Sequence, residues 1–174
     1  MLRYALPLVL AAFLVAVPAT FGCTGNCADH AEWPAIDGKF KKANSGRSAR
    51  FVGGARNDEL LGHHGSDMLS GRGGSDVLWG DHDPAGQPEA QHDVIYGGGG
   101  NDFIYGSHGR NVIYAGAGND AISVHYGRGI VDCGPGRDVY HVARSRRHLY
   151  RFRHCEKVDY RSERQRGGGL RPLP

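Results

Sequence analysis

Hydrophobic positions return every ninth residue along this chain. Leu60, Leu69 and Leu78 stand nine apart, and after one insertion Ile95, Ile104, Ile113, Ile122, Val131 and Tyr140 keep the same interval. Two positions before each of these stands, in order, Asp58, Asp67, Asp76, Asp93, Asp102, Asn111, Asp120, Gly129 and Asp138. Glycines crowd the residues just ahead of the carboxylates. A period of nine fits neither a helix nor a hairpin ladder, but it fits a coil that adds half a turn per repeat. Each repeat then consists of a tight turn and a short strand. In Phe103-Ile104-Tyr105, for example, the middle residue faces in and its neighbours face out. One carboxylate and several small residues per step predict a column of hard-cation sites.

With the acidic residue written as the sixth of each repeat, the steps are 53–61, 62–70, 71–79, 88–96, 97–105, 106–114, 115–123, 124–132 and 133–141. Residues 97–105 read GGGGNDFIY and 115–123 read AGAGNDAIS. This pattern resembles the GGxGxDxUx nonapeptide of the RTX, or haemolysin-type, calcium-binding repeats. The resemblance implies an all-β fold: a parallel β-roll, a right-handed β-solenoid of about nine repeats with degenerate capping coils at both ends. Calcium would lie between stacked turns. Glycine permits the positive φ and close backbone approach that such turns need.

Alternate repeats fall on opposite sheets, so the turns form two edges. The odd edge carries Asp58, Asp76, Asp102, Asp120 and Asp138 without a break. Its turn backbone comes from Gly53, Gly54, Gly71, Gly74, Gly97 and Gly98, then Gly100, Gly116, Gly118, Gly134 and Gly136. The even edge carries Asp67 and Asp93, then fades through Asn111 and Gly129. The family's arrangement implies roughly three to four Ca2+ ions on the odd edge, and none or one on the even edge between Asp67 and Asp93. Residues 80–87 form an insertion expected to bulge from the even edge as a solvated loop, the reading preferred to a separate metal site at Asp81, His82 and Asp83.

The inward positions run on to Leu149 and Val158 and back to Phe51, which predicts capping coils. Cys133 and Cys155 then fall one full turn apart on the same edge, a placement that predicts a disulfide stapling the C-terminal cap. Cys23 and Cys27 are near enough in sequence to close a small loop, although a frayed, functionally idle N-terminus is the preferred reading. Met1 to Val17 reads as a secretory leader, with Arg3 in the charged region and an apolar run from Ala5 to Val17. The expected segments are a signal peptide 1–19 (with cleavage as late as 22 as the alternative), an N-terminal segment and cap 20–52, the repeats 53–141, a cap 142–160 and a disordered basic tail 161–174. Lipidation at Cys23 is disfavoured by the poor match of Thr20-Phe21-Gly22 to a lipobox. No second hydrophobic segment follows, so no transmembrane segment is expected after removal of the leader.

Composition sharpens this picture. Glycine makes up 28 of 174 residues, about twice the usual share. The net charge of +3 is uneven: residues 143–174 hold nine Arg and one Lys against three acids, giving +7, so the rest carries −4. An acidic body suits a cation binder, and no aromatic-interleaved basic groove points to nucleic acid. The ten histidines share no repeat position, and His63-His64 is the one pair that would suit a transition metal. Outward aromatics at Trp79, Tyr96, Tyr105 and Tyr114 stabilise adjacent strands in the preferred reading; the alternatives are an interaction surface for a polysaccharide or protein, or cover by residues 28–50 with Trp33 and Phe40. There is no HExxH or GxSxG signature, and residues 20–52 are too few for a catalytic domain, so no enzyme is expected. The expectation is a secreted calcium-binding protein that folds on binding extracellular Ca2+. A cell-surface or glycan-binding module and a remnant of a larger secreted hydrolase are the alternatives.

Overall fold

The computed structural model describes residues 33–83, 85, 86 and 88–161. The expected leader, Cys23 and Cys27, and all residues beyond Arg161 lie outside the described residues. The strands are Phe40–Lys42 (β1), Arg50–Val52 (β2), Glu59–Leu61 (β3), Met68–Gly73 (β4), Val77–Trp79 (β5), His92–Gly99 (β6) and Phe103–Tyr105 (β7). They continue with Arg110–Ala117 (β8), Ala121–Ser123 (β9), Arg128–Asp132 (β10), Val139–His141 (β11), Tyr150–Arg153 (β12) and Lys157–Asp159 (β13). Odd-numbered strands form one seven-stranded sheet and even-numbered strands a six-stranded one. Every pairing is parallel and joins strands two apart in the chain, so the fold is a β-roll of about seven turns.

The nine-residue rhythm builds the interior directly. Register places Leu60 on Leu78, Leu78 on Ile104 and Ile104 on Ile122 in one sheet, and Leu69 on Ile95 and Ile95 on Ile113 in the other. All of these side chains are fully buried between the two sheets. Each contributes about 1.5–3 kcal/mol of burial, which offsets the ordering entropy of a glycine-rich turn.

The caps depart from strict spacing. Leu149 was expected inward; instead a short 3-10 helix, Arg144–Leu149, delays the chain by three residues, and Phe152 pairs with Val131. Leu149 is left 39% exposed. Val158 does sit opposite Tyr140 as expected. At the other end an additional coil precedes Phe51. Lys41 takes the inward register opposite Leu60, its ammonium donating to the Val52 carbonyl and lying 5.9 Å from the Phe51 ring centroid. Cys133 and Cys155 are disulfide-bonded, with Cα atoms 5.1 Å apart.

The two outer faces are unlike. On the odd sheet, Val77, Phe103, Ala121 and Val139 are buried under Trp33 and Ile36. Trp33 donates to the Tyr105 hydroxyl at 3.2 Å, and Trp79 stacks on Tyr105 at 4.7 Å. The outward aromatics of this sheet are therefore interior contacts, with Tyr105 only 5% exposed. The reading of Trp79 and Tyr105 as an interaction surface is corrected: the N-terminal segment roofs them, through Trp33 and not through Phe40, which is 61% exposed. Tyr96 and Tyr114 stand on the open face of the even sheet.

Candidate metal centre

Each turn of the odd edge ends in a carboxylate fixed by the turn before it. The backbone N–H of Asp58 donates to Asp76 Oδ1 at 2.7 Å, Asp76 to Asp102 at 2.9 Å, Asp102 to Asp120 at 2.9 Å and Asp120 to Asp138 at 2.8 Å. Lys39 N–H donates to Asp58 at the start of the column, and Asp138 N–H donates to Glu156 Oε2 at 2.9 Å at its end. All five aspartates are fully buried. Their first oxygen is thus engaged by the backbone, and in Asp58, Asp76 and Asp102 the second lies against the first glycine of its own repeat.

That second oxygen is the chemically telling one. Oδ2 of Asp76, Asp102, Asp120 and Asp138 is buried and has no hydrogen-bond partner. Unsatisfied buried carboxylate oxygens are costly. Backbone carbonyls crowd the same places: a Cβ on Gly71 would lie 2.1 Å from Asp76 Oδ2 and 2.7 Å from the Gly97 carbonyl oxygen. Gly53 and Gly97 hold the equivalent positions beneath Asp58 and Asp102, and a Cβ on Gly136 would collide with the Gly118 carbonyl oxygen. Gly54 N–H donates to Asp58 Oδ2. Gly74, Gly98, Gly100, Gly116, Gly118 and Gly134 take positive φ, which re-aims the turn backbone. Carboxylate and carbonyl oxygens with no nitrogen or sulfur are the donor set of a hard cation.

Burial and neighbouring carboxylates disfavour the charged forms. Burial pushes Asp102 up to about 8, helped by Asp120 and Asp76 on either side. It pushes Asp120 up to about 7, with Asp138 adding to the effect. Asp76 and Asp138 rise to about 6, again mainly through burial. Such a column of raised acids calls for positive charge.

The even edge starts the same way and then closes. Ala49 N–H donates to Asp67 Oδ1 at 2.7 Å, His63 N–H to Asp67 Oδ2 at 2.9 Å, and Asp67 N–H to Asp93 Oδ1 at 2.9 Å. Asp67 is thus satisfied by backbone, whereas Asp93 Oδ2 is buried and without a partner. Burial raises Asp93 to about 6. Asn111, next in line, is fully engaged. Its Oδ1 accepts from Ser107 N–H at 2.9 Å, and its Nδ2 donates to the Ser107 carbonyl at 2.9 Å and the Tyr150 hydroxyl at 3.0 Å. Gly129 lies opposite Tyr150 in register, and the phenol reaches past it. The Tyr150 hydroxyl in turn donates to the Tyr126 carbonyl at 2.6 Å.

The family model for the RTX calcium-binding nonapeptide repeat (4 copies) matches two segments, residues 46–81 and 90–122. These residues belong to the RTX calcium-binding repeat family. No curated protein and no solved structure matches the chain. RTX repeats bind Ca2+, and the buried, unpartnered oxygens of this roll fit that ion.

Several participants in the RTX column escaped the sequence reading. Glu156 stands one turn beyond Asp138, and its carboxylate takes the place an aspartate holds in the repeats. The Lys39 ammonium donates to the Gly53 carbonyl at 2.6 Å, a tethered cation at the first turn. A second ladder runs the opposite way through the residues before the aspartates: Ser75 N–H donates to Asn57, Asn101 to Ser75, Asn119 to Asn101 and Arg137 to Asn119. The recurrent Asn or Ser at the fifth repeat position was its signal.

The insertion does not bulge from the even edge as a solvated loop: its start packs against that edge, with Asp81 fully buried. His64 Nδ1 lies 2.8 Å from Asp81 Oδ2, His63 Nε2 lies 3.4 Å from Asp83 Oδ2, and the His63 ring is 4.5 Å from that of His64 and 5.4 Å from that of His82. These contacts pin the loop to turn 62–66. Among the described residues no group of three or more His, Cys, Asp or Glu side chains is placed to hold one metal ion. The odd column is of another kind, one carboxylate per turn with backbone oxygens between. Also among the described residues, no helix is long and apolar enough to cross a membrane.

Proposed function

We propose that this chain is an exported calcium-binding protein whose roll is completed by Ca2+ along the odd edge. The observation that carries the reading is the line of buried, unpartnered Oδ2 atoms of Asp76, Asp102, Asp120 and Asp138. Asp76, Asp102, Asp120 and Asp138, with the turn carbonyls of Gly71, Gly97 and Ala115 nearby, are the residues that would hold it, whereas both Asp58 oxygens already accept backbone N–H groups. Bound calcium supplies divalent charge and oxygen coordination in place of missing hydrogen bonds. Four such oxygens on the odd edge and one at Asp93 support three or four ions on one edge and none or one on the other.

Function then follows from coupled folding. The carboxylates repel one another and the glycine turns carry high entropy, so the roll is marginal until cations are abundant. Calcium-rich surroundings outside a cell suit weak sites of about 10⁻⁴–10⁻³ M, and the leader-like residues 1–19 suit export. This is binding work and calls for no catalytic group. Equilibrium dialysis of the full chain with Ca2+ tests it. Asp102→Ala and Asp120→Ala are expected to lower the number of ions bound, while Asn111→Ala leaves the number intact. Equal losses in all three variants, or no uptake by the native chain, would refute the assignment.

A further inference from the structure

The open face of the even sheet repeats one motif on successive strands. Outward residues are His92, Val94 and Tyr96 on β6, and Arg110, Val112 and Tyr114 on β8. Arg128 and Ile130 continue on β10. Register aligns them into rows, His92 with Arg110 and Arg110 with Arg128, Val94 with Val112 and Val112 with Ile130, Tyr96 with Tyr114. His92, Arg110 and Arg128 are exposed, and Tyr96 and Tyr114 keep 41% and 43% of their surface. The tyrosine rings are parallel within 8° and 5.3 Å apart. Ser70 and Asp132 flank them in register, Asp132 being paired with His154 at 2.8 Å.

We propose that this face docks an anionic polysaccharide, one built of uronic acids. A periodic face suits a periodic ligand: the rungs repeat about every 4.8 Å, comparable to a pyranose unit. The aromatic and aliphatic rows offer flat apolar surface to sugar rings, while the basic row meets carboxylates with charge-assisted hydrogen bonds. Charge complementarity favours this occupant over a neutral glycan. The contrast with the odd sheet is informative, because Trp33 and Ile36 roof the equivalent positions there. The site rests on the fold and not on the carboxylate column.

Titration calorimetry of the full chain in saturating Ca2+ tests it, with hyaluronan oligosaccharides and short oligogalacturonates as probes. Dextran and vesicles of phosphatidylcholine with phosphatidylserine serve as comparisons. Saturable binding to at least one acidic oligosaccharide is expected, weakened about tenfold or more by Tyr96→Ala/Tyr114→Ala and by Arg110→Ser/Arg128→Ser. Added salt should weaken it as well. Calcium stoichiometry should stay at the native value in both variants, and the exposed arginine pair keeps the test decisive should the tyrosine variant unfold. Absence of binding to both acidic probes, equal affinity for dextran, binding to the vesicles alone, or indifference to the arginine pair would overturn the proposal.

Discussion

Asp102 and Asp120 show how one carboxylate is divided between structure and site. One oxygen of each is held by a backbone N–H, and the other is buried without a partner. The raised pKa values fix a pH dependence. In the calcium-free fold these four aspartates bind more protons than in the unfolded chain, where aspartates titrate near 4, so their contribution to stability is greatest below about pH 4. It is lost as pH rises through about 6 for Asp76 and Asp138, 7 for Asp120 and 8 for Asp102. In chelator, circular dichroism should therefore report more β structure at pH 5 than at pH 8. With Ca2+ the order reverses, because protons compete for the same oxygens, and the calcium midpoint should rise as pH falls from 8 to 6. Asn111 needs no ion, since Ser107 and Tyr150 satisfy it. Tyr150→Phe removes a buried donor and acceptor and should cost about 1–3 kcal/mol in denaturant unfolding without changing calcium stoichiometry. The aspartates were legible in the sequence because they keep the nine-residue beat. Tyr150 was not, because its partner Asn111 stands 39 positions away and no rhythm links them.

At the level of turns and strands, glycine and the C-terminal staple set the tolerances. Gly116 has φ near +116°, and a Cβ there would meet the Gly98 carbonyl oxygen at 2.0 Å. Gly116→Ala should cost at least about 1–3 kcal/mol of backbone strain, read as a lower melting temperature in saturating Ca2+. Reduction of Cys133–Cys155, which closes a separation of 22 residues, should remove about 2–4 kcal/mol and release β12 and β13 first in hydrogen exchange. Strands from Glu59 to His141 could be read from spacing alone, because a shift of one residue would turn each buried Leu or Ile outward. The caps could not. Lys41 fills an inward place with its ammonium on the Val52 carbonyl and near the Phe51 ring, which no hydrophobic pattern announces. Phe152 replaces Leu149 because the 3-10 helix adds residues between strands, and insertions of that kind are silent in a periodic count. Trp33 as a roof over Trp79 and Tyr105 was likewise hard to foresee, since it lies 46 and 72 residues from them.

For the molecule as a whole, neighbouring coils depend on one another through the same hydrogen-bond columns, as in other solenoids. A lesion in the middle, at Asp102, should broaden the calcium-induced folding transition more than one at Asp58, because the lost carboxylate stands between two others, Asp76 and Asp120, whereas Asp58 ends the line. The slope of a circular dichroism titration measures this. The two ends of the roll differ in kind. Among the described residues β1 is the outermost strand of the odd sheet, and two ammonium groups already sit on the carbonyls behind it: Lys39 on Gly53 and Lys41 on Val52. Lysine at such a rim repels a second chain seeking to extend the sheet. Among the described residues the N-terminal rim thus presents ammonium groups where a second roll would have to add its strand, a feature that disfavours end-to-end threading.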